Sequence, residues 1–401
     1  MTTPPADVPV PDSSDDTPAE AAIRAEVRPW MEAHAARFGP GTGYRNLGDS
    51  LEFIEEARAW QAELDGGGWG APAWPVDLGG RGLSPAEVRV VKEEEARFAA
   101  PIGPYYVALS MVGPTLMEFG TEAHCDRFLP AMRRGDHIWC QLFSEPDAGS
   151  DLASLRTRAV RDGDEWVVTG QKVWTSGARY ADWGILLART DPESSRHTGI
   201  TYFLVDMATP GVEVRPLVQI NREAHFNEVF LHEVRVPAAN VLGEVGEGWS
   251  VARTTLGAER MGIGTISMAD RLERIVTHAR STGRLDSPVV RDRMVDAWIR
   301  STLLTLTGDR VAHALRHGGE IGPEASVLKL ALSHLVEELG TQAMVALGPE
   351  GMLAGEGPQG YGDLQDQFLG QWSSRIGGGT EQIQRNLIGE RALGLPREPK
   401  P

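Results

Sequence analysis

The feature that most constrains this chain is a change of hydrophobic period along it. From residue 19 to 136 the pattern is helical; "AEAAIRAEVRPWMEAHAARF" places Ile23, Val27, Trp30 and Met31 on one side of a helix. "SPAEVRVVKEEEARF" opens a second helix with Ser-Pro-x-Glu. From 137 to 246 the period falls to two, in segments such as "DEWVVTGQKVW", "WGILLART", "GITYFLVDM" and "FNEVFLHEVRVP", punctuated by Gly, Pro and Asp. From 247 to 401 long helical runs return. Helices, then a small β region, then helices is an order without βαβ alternation, which excludes a doubly wound sheet. The expected fold is mostly α with a central β domain.

Residues 1–18, within "MTTPPADVPVPDSSDDTPAE", are rich in Pro, Asp, Ser and Thr and read as a disordered leader. The formal charge of −17 argues against a nucleic-acid partner, which requires a basic surface. Two cysteines, Cys125 and Cys140, build no disulfide framework, and no apolar run approaches a membrane span of ~20 residues. With no signal-peptide pattern at the start, the expectation is a cytoplasmic protein. Gly355, Gly357 and Gly360 match G-x-G-x-x-G, but no strand precedes them and Pro358 interrupts, so a dinucleotide fingerprint is rejected. The histidine spacing offers no metal site.

Three stretches carry chemistry. In "CQLFSEPDAGSD", residues 140–151, an apolar strand is expected to end in Ser144 and a loop to turn away, offering backbone N–H groups and the hydroxyls of Ser144 and Ser150. In "QKVWTSGA", Trp174 stands two residues before Ser176, an aromatic face beside a hydroxyl for a planar heterocycle. The competing reading of each stretch taken singly is a hairpin turn with a core tryptophan. In "RIGGGTEQIQRN", three glycines abut a helix with Thr380 as N-cap, and either a close ligand approach or a flexible joint accounts for them.

These stretches, in this order, together with "VRVPAANVLGEVGEGW" at 234–249, resemble the acyl-CoA dehydrogenase family over residues 20 to 396. The resemblance implies an N-terminal helical domain, a small β-barrel-like middle domain and a C-terminal four-helix bundle, assembled as a homodimer or homotetramer, or as a heterotetramer with a related chain. It implies FAD, with Ser144 and the backbone of Leu142 and Phe143 facing the flavin, Ser150 beside flavin and substrate, Trp174 packed on the ring, and Ser176 near its N5. Thr380 and Gln382 would lie near the diphosphate. Arg280, in "ARSTGR", stands where the family puts an arginine that reaches a neighbouring subunit's FAD, although the usual Phe-Gly after it is replaced by "TGRLDSP".

The implied reaction is α,β-dehydrogenation of an acyl-CoA, with electrons passed to an electron-transfer flavoprotein. It requires a carboxylate to take the α-proton and donors for the thioester oxygen. Many family members carry that Glu immediately before the Gly-Thr of the C-terminal signature. Here the position is Gly378, which with Gly379 keeps a substrate-binding backbone but supplies no base. A minority of members carry the base on the first long bundle helix, and Glu259, followed by Arg260 in the pocket, matches that place in "TTLGAERMGIG". A salt-bridged bundle residue is the competing reading of Glu259, and a chain that binds flavin while a related subunit supplies the base is the competing function. Gly257, Gly262 and Gly264 leave room for a bulky acyl group, or serve close helix packing.

Overall fold

A computed structural model describes residues 16–39, 50–194, 196–263, 268–316, 322, 324–353 and 362–397. Most of the expected leader and all of Gly355, Gly357 and Gly360 lie outside them. The helices are α1 (Pro18–His34), α2 (Leu51–Gly66), α3 (Pro85–Glu95), α4 (Gly113–Phe119), α5 (Glu122–Arg133), α6 (Gly248–Ile263), α7 (Ala269–Ser281), α8 (Pro288–Arg316), α9 (Glu324–Leu347), α10 (Asp363–Gly370), α11 (Ser373–Ile376) and α12 (Glu381–Leu387). The strands β1 (Trp139–Leu142), β2 (Arg158–Asp162), β3 (Glu165–Ser176), β4 (Trp183–Arg189), β5 (Ile200–Asp206), β6 (Val212–Leu217), β7 (Phe226–Pro237) and β8 (Val241–Leu242) lie between α5 and α6. The protein is therefore mostly helical around a central β region, as its periodicity implies.

Local chemistry explains the helix starts. Thr17 and Glu20 form a reciprocal capping box before Pro18, and Ser84 and Glu87 form another before Pro85. The α1 stripe buries Val27 and Met31, but the same helix also buries Glu20 and Arg24. Arg24 is neutralised by Asp16 at 2.6 Å, Glu93 at 2.7 Å and Glu94 at 2.9 Å. Ordered structure thus reaches back to Asp16 and Thr17, inside the stretch expected to be a leader.

The strand order is β6–β7–β3–β2–β4–β5–β8, with β1 parallel to β4. β2 and β4 meet at one pair, Arg158 with Arg189, so the sheet splays into two leaves. Cys140, Leu142, Leu186, Ala188, Phe203 and Val205 of one leaf pack against Trp166, Val168, Val229 and Leu231 of the other. The outer side of the first leaf, through Trp139, Ile185, Leu187 and Leu204, packs against Val112, Leu116 and Phe128 of the helices. That is why β4 and β5 are buried along nearly their whole length while β7 alternates.

The chain divides into two compact units, residues 1–217 with 224–258, and residues 218–223 with 259–401; the division falls inside α6. In the second unit Leu272, Ile275 and Ala279 of α7 pack with Met294 and Ala297 of α8 and with Leu332, Leu335 and Leu339 of α9. Among the described residues no helix is long and apolar enough to cross a membrane, and no group of His, Cys, Asp or Glu could hold a metal ion.

Candidate active site

In the first unit the two β-region motifs are tied to each other. β1 ends at Leu142, two residues earlier than Ser144. Leu142 fills the core between the leaves, while the next ring, Phe143, packs edge-on to Tyr202 at 5.8 Å. Both side chains are buried, so only their backbone can meet a ligand. Ser144 is half-buried, and its carbonyl accepts from Val173 N at 2.9 Å, the residue before Trp174. Glu145 and Ala148 close the loop with paired backbone bonds of 3.1 and 3.0 Å. Ser150 follows, exposed.

The loop is anchored by a pair that the sequence reading missed. The buried Glu145 carboxylate accepts from Arg156 N at 2.6 Å, Thr157 N at 2.9 Å and Lys172 Nζ at 2.8 Å. Lys172 is fully buried and also donates to the Phe143 carbonyl at 3.0 Å. Burial pushes the Glu145 carboxyl up, but the Lys172 ammonium and the N–H donors outweigh it and hold it below the usual range. Burial pulls the Lys172 ammonium down to about 8 against the attraction of Glu145. The sequence carried little signal, since Lys172 stands in a strand that also holds Glu165 and Gln171, and Glu145 in a polar loop.

Trp174 is not a core residue. The β3–β7 register shifts between Lys172 and Thr175, and at this irregularity Trp174 takes φ 60. A bulge re-aims a side chain, and a bulky residue in the left-handed region is a strained exception. The residue is 61% exposed, its indole edge-on to Phe226 at 5.8 Å. Ser176 pairs with Phe226 in the ladder and is half-buried. Beneath the bulge the buried Thr175 Oγ1 and Asn227 Oδ1 have no partner among the described residues.

The second unit carries the triple glycine. Gly378 has φ 66 and Gly379 φ 93, both left-handed, so the run is a turn that requires glycine. It is also strapped. Arg375, before it, binds Glu381, after it, through two bonds of 2.6 and 2.9 Å, and reaches Glu337 at 2.9 Å. Lys329 and Ser333 of α9 both hold the Ser374 carbonyl. Gln384, almost wholly buried, donates Nε2 to the carbonyls of Gly378 at 3.2 Å and Gly379 at 3.4 Å. The amides of Gly378, Gly379 and Thr380 have no acceptor among the described residues. A flexible joint does not fit this arrangement. Thr380 caps α12, its Oγ1 accepting from Ile383 N at 3.3 Å. Gln382 is exposed.

Arg280 stands in the last turn of α7, exposed and with no ion pair among the described residues. Glu259 and Arg260 lie within α6, but their side chains fall outside the described part of the structure. An exposed indole on a bulge and a glycine turn with unpaired N–H groups are features that fit a flat, hydrogen-bonding cofactor and an anionic or carbonyl oxygen.

Comparison with known proteins is consistent from end to end. The N-terminal, middle and C-terminal domain models of acyl-CoA dehydrogenase match residues 17–136, 140–234 and 246–393. The acyl-CoA dehydrogenase IpdE1 of Mycobacterium tuberculosis is 42% identical over 389 residues, covering 94% of this chain and 98% of that protein. The solved "Tcur3481-Tcur3483 steroid ACAD" superimposes with a TM-score of 0.83 at 30% identity, over 98% of this chain and 100% of its own. The ChsE4–ChsE5 complex from Mycobacterium tuberculosis follows at 0.79 and 29% identity, over 96% and 100%. Three domain models in their proper order along one chain, with a relative this similar over almost its whole length, mean that the chain belongs to the acyl-CoA dehydrogenase family of FAD-dependent enzymes.

Proposed function

We propose that this acyl-CoA dehydrogenase removes the α-proton of its thioester substrate with Glu259. The observation that carries the reading is the backbone of the glycine turn. With Gly378 at φ 66 and Gly379 at φ 93, the turn offers N–H groups and no carboxylate. The nearest acid in sequence, Glu381, is occupied: its hydrogen bonds with Arg375 hold it below the usual carboxylate range, against some burial, with His334 also at 3.3 Å. A base must come from another element, and Glu259 on α6 stands at the family's alternative place.

Under this reading the Gly378 N–H, flanked by Gly379, binds the thioester oxygen as it gains negative charge. Arg260 orients the pocket, and Ser150 lies where substrate meets cofactor. Trp174 would pack on the flavin, Ser176 and Ser144 would bond its edge beside the Leu142 and Phe143 backbone, Thr380 and Gln382 would serve its diphosphate side, and Arg280 would reach the FAD diphosphate of a neighbouring subunit. FAD, when bound, supplies the acceptor for the hydride leaving the β-carbon. An electron-transfer flavoprotein is the proposed onward acceptor. Cytoplasmic residence, with domains at 19–136, 137–246 and 247–401, belongs to the same reading; the unpaired Cys125 and Cys140 agree with a reducing compartment.

A bulky, ring-bearing acyl group is the substrate class we favour. It is supported by the steroid ACAD likeness and by Gly257, where an added Cβ would meet nothing within 4 Å among the described residues. A second reading, in which this chain works beside a related subunit, is favoured by the two-component names of both solved relatives.

The test is Glu259→Gln, which keeps size and removes the basic charge. FAD and acyl-CoA should still bind, and flavin reduction in stopped flow should fall by ~10²–10⁴-fold. Reduction at the wild-type rate with a good substrate would place the base elsewhere. A wild type that no acyl-CoA reduces would favour the partner-subunit reading.

A further inference from the structure

Gln384 is the polar side chain most committed to the glycine turn, yet nothing in the proposed reaction uses it. Its residue is 1% exposed, and its amide nitrogen contacts the Gly378 and Gly379 carbonyls at 3.2 and 3.4 Å. The fit is close, since a Cβ on Gly379 would come within 2.7 Å of that nitrogen. The amide oxygen, also buried, has no partner among the described residues, so the carbonyls of the turn set the orientation of the amide.

In a trans peptide the carbonyl and the following N–H point in opposite directions. Drawing the Gly378 carbonyl toward Gln384 therefore turns the Gly379 N–H away from it. Drawing the Gly379 carbonyl the same way turns the Thr380 N–H away as well. These contacts also fix ψ of Gly378, whose own N–H is the proposed donor to the thioester. Glycine loses more freedom on ordering than any other residue, so two in succession need an external constraint to hold one geometry. Arg375 and Glu381 tie the ends of the turn, and among the described side chains Gln384 alone hydrogen-bonds its middle.

We infer that Gln384 is a positioning residue for the reaction, presetting the 378–379 and 379–380 peptide planes that follow the Gly378 donor, so that the glycine turn meets the thioester oxygen without reorganising. The inference rests on the proposed role of Gly378. It acts through the backbone and leaves substrate affinity largely alone.

Two near-isosteric variants test it. Gln384→Met removes the donor. Gln384→Glu sets a carboxylate oxygen against two carbonyls, and the contact reforms only when that carboxyl is protonated and can donate. Both should retain FAD and change KM by less than ~3-fold, while the rate of flavin reduction falls at least ~10-fold, a fraction of what losing an oxyanion donor outright costs. Measured against wild type at the same pH, the deficit of Gln384→Glu should shrink toward acid pH, and that of Gln384→Met should not. A second readout needs no turnover: infrared spectroscopy of bound acyl-CoAs, straight-chain and branched, carrying carbon-13 at the thioester carbonyl. Wild type should lower the carbonyl frequency below its value in water, and Gln384→Met should lose most of that shift. A wild-type shift without flavin reduction would sink the Glu259 reading and leave this one standing. Unaltered rates, pH profiles and carbonyl shifts in both variants would overturn it, as would losses of rate that only track lost FAD or lost thermal stability.

Discussion

Trp174 shows at the scale of one residue what holding an exposed aromatic side chain costs. A non-glycine residue at φ 60 costs about 1–2 kcal/mol, and leaving Trp174 61% exposed forgoes burial that a core tryptophan would enjoy. The β3 bulge supports both departures. Trp174→Ala combined with Ser176→Ala should lower flavin occupancy, read as visible absorbance per chain after purification, with the fold retained by circular dichroism. Full occupancy in that double variant would remove the ring from its proposed place. The loop after β1 and the glycine turn before α12 were legible as local structure because turn chemistry is local; the bulge that exposes Trp174 was not. Gln384 was not, because its partners are carbonyls, and a sequence does not say which carbonyls a glutamine will meet. Glu145 and Lys172 were missed for a related reason: the pair is 27 residues apart, and each residue alone reads as a solvated charge.

At the scale of elements, the Glu145–Lys172 pair joins the loop after β1 to β3 and consumes the Phe143 carbonyl in doing so. Removing one partner strands the other. Lys172→Met should destabilise the protein by about 3–5 kcal/mol in a denaturant titration, whereas adding Glu145→Gln should recover a large part of the loss. Equal stability of the single variant and wild type would show that the loop does not depend on this pair. The strands themselves were readable by two different signals. β7 alternates because one face meets the core; β4 and β5 run apolar without a break because helices cover one side and the other leaf covers the second. α1 resisted a simple reading, since its buried side includes Glu20 and Arg24, which enter the interior only as members of a charge network fixed by α3.

At the scale of the whole molecule, α8 leaves Val295, Trp298, Ile299, Leu303 and Leu306 between 44% and 60% exposed, at spacings that share one helix face. Apolar surface on this scale marks association. Sizing at dilute concentration should give a dimer or larger species, with native mass spectrometry reporting one chain type or two; a clean monomer that keeps its FAD would contradict the expectation. The left-handed turn at Gly378 and Gly379 also has a meaning for descent. A glycine codon ending in a purine is a single nucleotide change from a glutamate codon, so restoring the family's commoner base at 378 is genetically a short step. Conformationally it is a steep one, because any side chain there inherits a backbone at φ 66 and a penalty of roughly 1–2 kcal/mol before it can do any chemistry.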